Sequence, residues 1–158
     1  MSPVQPIPAG HHSITPGLTV KGAAKAIEFY KQAFGAVEKG RMPGVDGLLM
    51  HAEIMIGNSY IFLGDEMPGM GNQSPQKLGA TTVALHIYTE DADAMFKQAI
   101  AAGATERMPI ADQFWGDRYG QVTDPFGHVW GIATHKEELT PAQMDERMKA
   151  MMAQMAQK

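Results

Sequence analysis

The sequence contains no cysteine. That absence removes disulfides, thiolate nucleophiles and thiolate metal ligands together, and leaves His, Asp and Glu as the side chains able to hold an ion. It also lacks the run of about 18 apolar residues that a membrane-crossing helix requires. The opening segment, MSPVQPIPAGHHS, has neither the basic start nor the apolar centre of an export signal. Clusters of Lys and Arg are missing too, and the formal net charge is −4. Without a basic stripe there is nothing to displace counterions from a nucleic acid. These absences predict a soluble, cytoplasmic protein with a small-molecule ligand, and neither nucleic acid nor membrane as a partner.

What is present is turn chemistry and alternation. At 158 residues the chain has the size of one domain and can bury roughly 68–70% of its unfolded surface. From Gln113 to His135 it reads QFWGDRYGQVTDPFGHVWGIATH. Alternation through Tyr119, Gln121 and Thr123 leads into Asp124-Pro125-Phe126-Gly127, and a second alternating run, His128 to Thr134, leads out. Pro presets φ for the second position of a turn and Gly accepts the positive φ that closes it, so this stretch is a β-hairpin. Ahead of it, Phe114, Trp115, Asp117, Arg118 and Tyr119 concentrate aromatic faces, a carboxylate and a guanidinium in a loop suited to capping a pocket.

Upstream, residues 1–12 carry prolines without periodicity and read as an arm. Ile14 to Val20 reads as a strand, with Pro16 at its start or at a bulge because Pro cannot donate a ladder hydrogen bond. Ala23, Ala26, Ile27, Tyr30, Ala33 and Phe34 recur at three and four, the stripe of an amphipathic helix that Gly35 ends. Strands follow at 37–42, 48–56 and 59–63, the last two joined by Gly57-Asn58. After a Gly-, Pro- and Met-rich connector the order restarts: strand 82–88, helix 91–102, a stop at Gly103, then strands at 105–109, 118–123 and 128–134. The match extends to residues, with Lys31-Gln32-Ala33 repeated as Lys97-Gln98-Ala99. The expected fold is α+β: two βαβββ modules, about 13–64 and 82–135, joined by a linker at 65–81 and pairing curved sheets around a cleft in a single domain, 1–138. A C-terminal helical extension occupies 139–158. Thr140-Pro141-Ala142-Gln143 has the form of a capping box, and Met144, Met148, Met151, Met152 and Met155 follow on one side. That stripe predicts a homodimer contact or docking onto the same chain.

With the repeat and DPFGHVW in hand, the chain resembles the vicinal oxygen chelate superfamily, the group of glyoxalase I, extradiol dioxygenases and bleomycin-binding proteins. Pairing HAEIMIGNSYIFLGDEMP with FWGDRYGQVTDPFGHVW, it is similar to the PhnB-like branch. The resemblance implies metal ligands on the first and last strands of each module, at positions matching Thr15, Phe62, Ala84 (with His86 two residues on) and Gly131. Only His86 offers ligand chemistry there, so no metal and no cofactor are expected.

Candidate residues carry alternatives. His51 and Glu53 share a strand face and can bind an ion or move a proton, or else form a solvated polar pair. His86 faces with Ala84 and Tyr88, away from Leu85 and Ile87, so it either lines the cleft or hydrogen-bonds as a core histidine. Asp117 and Arg118 form a surface ion pair or, with Trp115 and Tyr119, a rim that reads flat anionic ligands. His11, His12, His128 and His135 read as solvated, and Trp130 as core beneath a helix. Two functions follow: a metal-free binding protein for a flat or amphipathic small molecule, or a lyase or isomerase on an oxygenated substrate with acid–base groups among His51, Glu53 and His86.

Overall fold

The structure, a computed structural model, describes residues 4–157. Residues 1–3 of the expected arm and Lys158 of the C-terminal extension lie outside the described residues. In chain order the elements are β1 (Gly17–Val20), α1 (Ala23–Phe34), β2 (Val37–Pro43), β3 (Leu49–Ile56), β4 (Ser59–Asp65), α2 (Pro75–Leu78), β5 (Ala84–Tyr88), α3 (Ala92–Ala102), β6 (Thr105–Asp112), β7 (Asp117–Thr123), β8 (Val129–His135) and α4 (Pro141–Met155). Two four-stranded sheets form in the orders β1-β4-β3-β2 and β5-β8-β7-β6. In each, the first strand runs parallel to the last and the other pairs are antiparallel. The fold is α+β with paired βαβββ modules.

Local chemistry accounts for the element ends. α1 stops where Gly35 takes φ 66° and returns its N–H to the carbonyls of Tyr30 and Lys31, and Gly103 closes α3 at φ 119°. Non-glycine residues resist that region. The helix starts draw on the last strand of their own module. Asp65 of β4 accepts the N–H groups of Gly22 (2.7 Å) and Ala23 (2.8 Å), and its second oxygen accepts that of Leu49 (2.8 Å). At α3, Thr134 of β8 accepts from Ala92 N–H and donates to the Thr89 carbonyl, both at 2.8 Å. Asp91 adds its own cap to Ala94.

The two modules share one core. Trp130, 1% exposed, lies beneath α1 of the other module, its ring 4.7 Å from Phe34 and 5.3 Å from Tyr30. Asp124 ties the same place together. One carboxylate oxygen accepts the Tyr30 hydroxyl (2.7 Å) and the Trp130 indole N–H (2.8 Å), while the other accepts Phe126 and His128 N–H in the hairpin turn. Gln98 of α3 donates to the Gln32 and Ala33 carbonyls at the end of α1. Burial of this aromatic cluster is worth several kcal/mol on the order of 25 cal/mol per Å² of apolar surface.

Two features differ from the sequence reading. β1 begins at Gly17, and Pro16 sits just ahead of it, its carbonyl accepting Phe62 N–H at 2.9 Å. The connector between modules contains α2, with Ser74 capping Lys77 N–H and Pro75 in the first turn. Its Pro75 leaves no room for a side chain at Gly127, where a Cβ would stand 2.8 Å away. α4 has the expected capping box of Thr140 and Gln143, yet none of its residues is buried. Arg147 returns to Glu137 at 2.6 Å.

Candidate functional site

Side chains alternate between the faces of a strand, and each sheet turns one face to the helices and the other away. In the second module Leu85, Ile87, Trp130 and Ile132 belong to the helix side. Ala84, His86 and Tyr88 project from the opposite face together with Gly131, Ala133 and Tyr119, as the register His86 to Gly131 and Tyr119 to Ala133 requires. The rings on this open face form a continuous strip. Trp115 meets Tyr119 edge-on at 5.6 Å, Tyr119 stacks on His86 at 5.3 Å and 9°, and His86 lies 4.6 Å from Tyr88. Gly131 makes this possible: a Cβ there would stand 2.7 Å from the Tyr119 ring and 3.1 Å from His86 Nδ1. Gln121 donates to the Tyr119 hydroxyl at 2.6 Å and fixes the ring.

At His86 and Tyr88 the strip reaches a cleft of about 850 Å³ between the modules. Ile56, Tyr60 and Ile61 line it from the first module, and Leu85, Ile87 and Trp130 from the second. An apolar wall with a few polar tips is the usual make-up of a small-molecule pocket.

Both ends of the strip are tied to Asp117, which is 3% exposed. Its Oδ2 accepts the Tyr88 hydroxyl and the Trp115 indole N–H, both at 3.1 Å, and its Oδ1 lies 2.7 Å from His135 Nδ1. Burial disfavours the charged carboxylate, but hydrogen bonds from His135, Tyr88 and Trp115 outweigh it and hold the group below its ordinary value. The bond to Asp117, with Glu138 second, raises His135 above the ordinary imidazole value. Burial and then Asp117 raise the Tyr88 phenol. His135, solvent-exposed as its place at a strand end suggests, is also half of a buried-carboxylate pair. The hairpin carried that signal: counting outward from DPFG pairs Thr123 with Val129 and hence Asp117 with His135.

Other expectations fare differently. Arg118 projects to the helix side, opposite its neighbours Asp117 and Tyr119. Its guanidinium grips Asp93 of α3 through two bonds of 2.7 and 2.8 Å and reaches Asp112 at 3.4 Å. Those bonds raise its already high pKa further. Neither the surface pair with Asp117 nor a shared rim with Trp115 forms. His51 and Glu53 do share a face of β3, with Nε2 3.3 Å from Oε1, and His51 packs edge-on against Phe62 at 4.9 Å. His51 also lines a pocket of about 320 Å³ with Met50, Met67 and Met70, separate from the cleft at His86. Two more histidines are engaged: His11 stacks on Tyr60 at 3.9 Å, and a His128 ring nitrogen lies 3.1 Å from the Thr19 carbonyl.

The ion implied by the resemblance does not fit these residues. Of its four positions, Phe62 is a hydrocarbon ring against His51, Gly131 is roofed by Tyr119 and His86, and Ala84 has no donor. Among the described residues no group of three His, Asp or Glu side chains is placed to hold a metal ion. No helix among them is long and apolar enough to cross a membrane.

Comparison with known proteins agrees with the architecture. An uncharacterized protein of Mycobacterium tuberculosis is 46% identical over 145 residues, covering 90% of this chain and 84% of that protein. The X-ray structure of an Arabidopsis thaliana gene product superposes with a TM-score of 0.63 at 27% identity, over 79% of this chain and 98% of the other. A PhnB protein from Bacillus cereus does so with a TM-score of 0.60 at 16% identity, over 78% and 99%. The family model for the Glyoxalase/Bleomycin resistance protein/Dioxygenase superfamily matches residues 10–132, and with two βαβββ modules of that topology this chain belongs to that superfamily.

Proposed function

We propose that the protein binds a flat small molecule on the aromatic strip of the second module and in the adjoining cleft, without the divalent ion that other superfamily members use. The carrying observation is Gly131. Where the resemblance would place a carboxylate ligand, this chain has no side chain at all, and the Tyr119 and His86 rings occupy the space in parallel. The parallel faces of Tyr119 and His86 suit a planar ligand, and a phenol and an imidazole at their edge suit a carbonyl or anionic oxygen. Trp115, Tyr119, His86 and Tyr88 form the contact set, with Asp117 holding two of them in place. Arg118 is left out because Asp93 already occupies its guanidinium.

The binding form in this reading is a cytoplasmic homodimer. Met148, Met152 and Met155 of α4 stand exposed, and a 15-residue helix with no packed face is marginal in water. A second copy of the chain supplies the missing surface, so truncation after Glu138 should yield a monomer by sedimentation.

The test of binding is calorimetric titration of 2-naphthoic acid and 1,4-naphthoquinone into the parent, Trp115→Ala and Gly131→Glu. Removing the indole face should weaken binding roughly three- to tenfold, the worth of one aromatic contact of about 0.5–1.5 kcal/mol. The glutamate should displace the two rings and abolish binding. Parent-like affinity in both variants would end the reading. The enzymatic alternative, a lyase or isomerase, draws its support from a single feature, the Asp117–His135 pair.

A further inference from the structure

The superfamily's usual chemistry runs through an ion that the residues here do not accommodate, yet the open face of the second module ends in a carboxylate–imidazole pair that binding alone does not require. We propose that His135 is the base of a metal-independent proton-transfer centre acting on a flat carbon acid laid over Trp115, Tyr119 and His86, with Asp117 as its positioning residue. The proposal rests on the binding reading above and deepens it.

Four observations carry it. Asp117 Oδ1 lies 2.7 Å from His135 Nδ1, so in the neutral imidazole the proton sits on Nδ1 and the lone pair on Nε2. The carboxylate cannot turn away, because Tyr88 and Trp115, both members of the strip, donate to its other oxygen. Exposure is divided as a base requires: the Asp117 side chain is 4% exposed and that of His135 48%. Finally, β8 alternation puts His135 on the same face as Gly131 and Ala133, the side that carries the strip.

The ionisable groups facing His135 are Asp117 from β7, Glu138 from the segment leading to α4, and Tyr88 of β5 through the shared carboxylate. Glu138 Oε1 lies 3.2 Å from Nε2 but is 94% exposed, so it is a solvent-exchanging counter-ion that a ligand displaces. In the step, the carbon-bound proton moves to Nε2. The C–H electron pair passes into the adjoining carbonyl as an enolate, or expels a leaving group. The imidazolium, held by Asp117, then returns its proton to another atom of the substrate or to water. The net change is an isomerisation or an elimination, and neither consumes an oxidant or reductant.

The probe is 5-nitrobenzisoxazole, a planar carbon acid. Transfer of its ring C–H proton to a base turns the C–H electron pair into the third bond of a nitrile, and the N–O bond breaks to release a coloured phenolate. The parent should exceed free imidazole at equal concentration by on the order of a hundredfold, the effect of one positioned base. Its rate should rise with pH through a value above the ordinary histidine pKa of about 6.5. His135→Ala should fall to the free-imidazole level. Asp117→Asn should move the rate profile back toward the ordinary value, a shift that a purely packing role would not cause. Imidazole ¹⁵N spectra give a readout independent of turnover: His135 should titrate high in the parent, in the Nδ1–H form, and normally in Asp117→Asn. A parent no faster than imidazole, a His135→Ala rate equal to the parent's, or an unshifted Asp117→Asn profile would overturn the proposal. If naphthoate binding ignores Trp115→Ala while His135 still drives the probe reaction, the platform fails and the base stands.

Discussion

The two modules repeat one plan and fill it with different chemistry. Each sends a residue from its last strand to the start of its helix, Asp65 to α1 and Thr134 to α3, so scaffold roles recur by position. The faces turned away from the helices do not recur. In the first module that face carries His51, Glu53 and Phe62 beside a methionine-lined pocket. In the second it carries a ring strip tied to Asp117 and His135. The repeat thus keeps what builds a module and varies the face turned away from the helices.

The largest effect should come from severing the modules. In Asp124→Ala four donors lose their acceptor: the Tyr30 hydroxyl, the Trp130 indole and two turn N–H groups. Buried unpaired donors cost about 1–3 kcal/mol each and are not additive. We expect a loss of about 4 kcal/mol, read as a lower urea midpoint at unchanged slope. A loss under about 1 kcal/mol would mean that the ring packing alone joins the halves.

Next comes the pair of equivalent helix-start contacts. Asp65→Ala orphans three N–H groups and removes a negative charge from the N-terminus of α1, and should cost about 3 kcal/mol. Thr134→Val leaves the Ala92 N–H and the Thr89 carbonyl without this partner, while Asp91 remains as a cap, and should cost about 1 kcal/mol. Equal losses in urea unfolding would show that the anionic cap of the first module contributes no more than a hydroxyl.

Sequence made the scaffold legible because its signals are local. The helix stripe at 23–34, the stops at Gly35 and Gly103, the DPFG turn and the capping box at Thr140 each depend on residues a few positions apart, and each element appears where its pattern lies. Much of the site depends on contacts across strands. That Trp130 reaches α1 of the other module requires knowing how the halves dock. Arg118 is instructive, because the alternation used to read the hairpin already places it opposite Asp117 and Tyr119. Proximity in the chain groups it with Trp115, whereas its partner Asp93 lies 25 residues away. His135 was legible only by carrying the hairpin register outward to Asp117, and Tyr88 only by knowing that β5 lies beside β8.

The smallest expected effect separates the modules by pH. His135 has its folded pKa raised by Asp117 and Glu138. Its contribution is therefore fully present below the unfolded imidazole value of about 6.5, and it is lost as pH rises through the folded value. Asp117 has its pKa lowered, so the same pair also fails in acid: its contribution is present above about 3.9 and is lost as pH falls through the folded carboxylate value. In the first module Glu38 is the acid-side counterpart. Hydrogen bonds from Arg41 and Lys31 lower Glu38 to about 2, so its contribution is present above the unfolded glutamate value of about 4.3 and fades toward that lower limit. Urea midpoints of the parent and His135→Gln, measured from about pH 6 to about pH 9, should converge as the imidazole loses its proton. Because the His135 ring is half exposed, solvent screens the pair and the convergence will be slight. Curves that stay parallel across that range would show that the pair lends the fold no proton-linked stability, and that Asp117 holds Tyr88 and Trp115 alone.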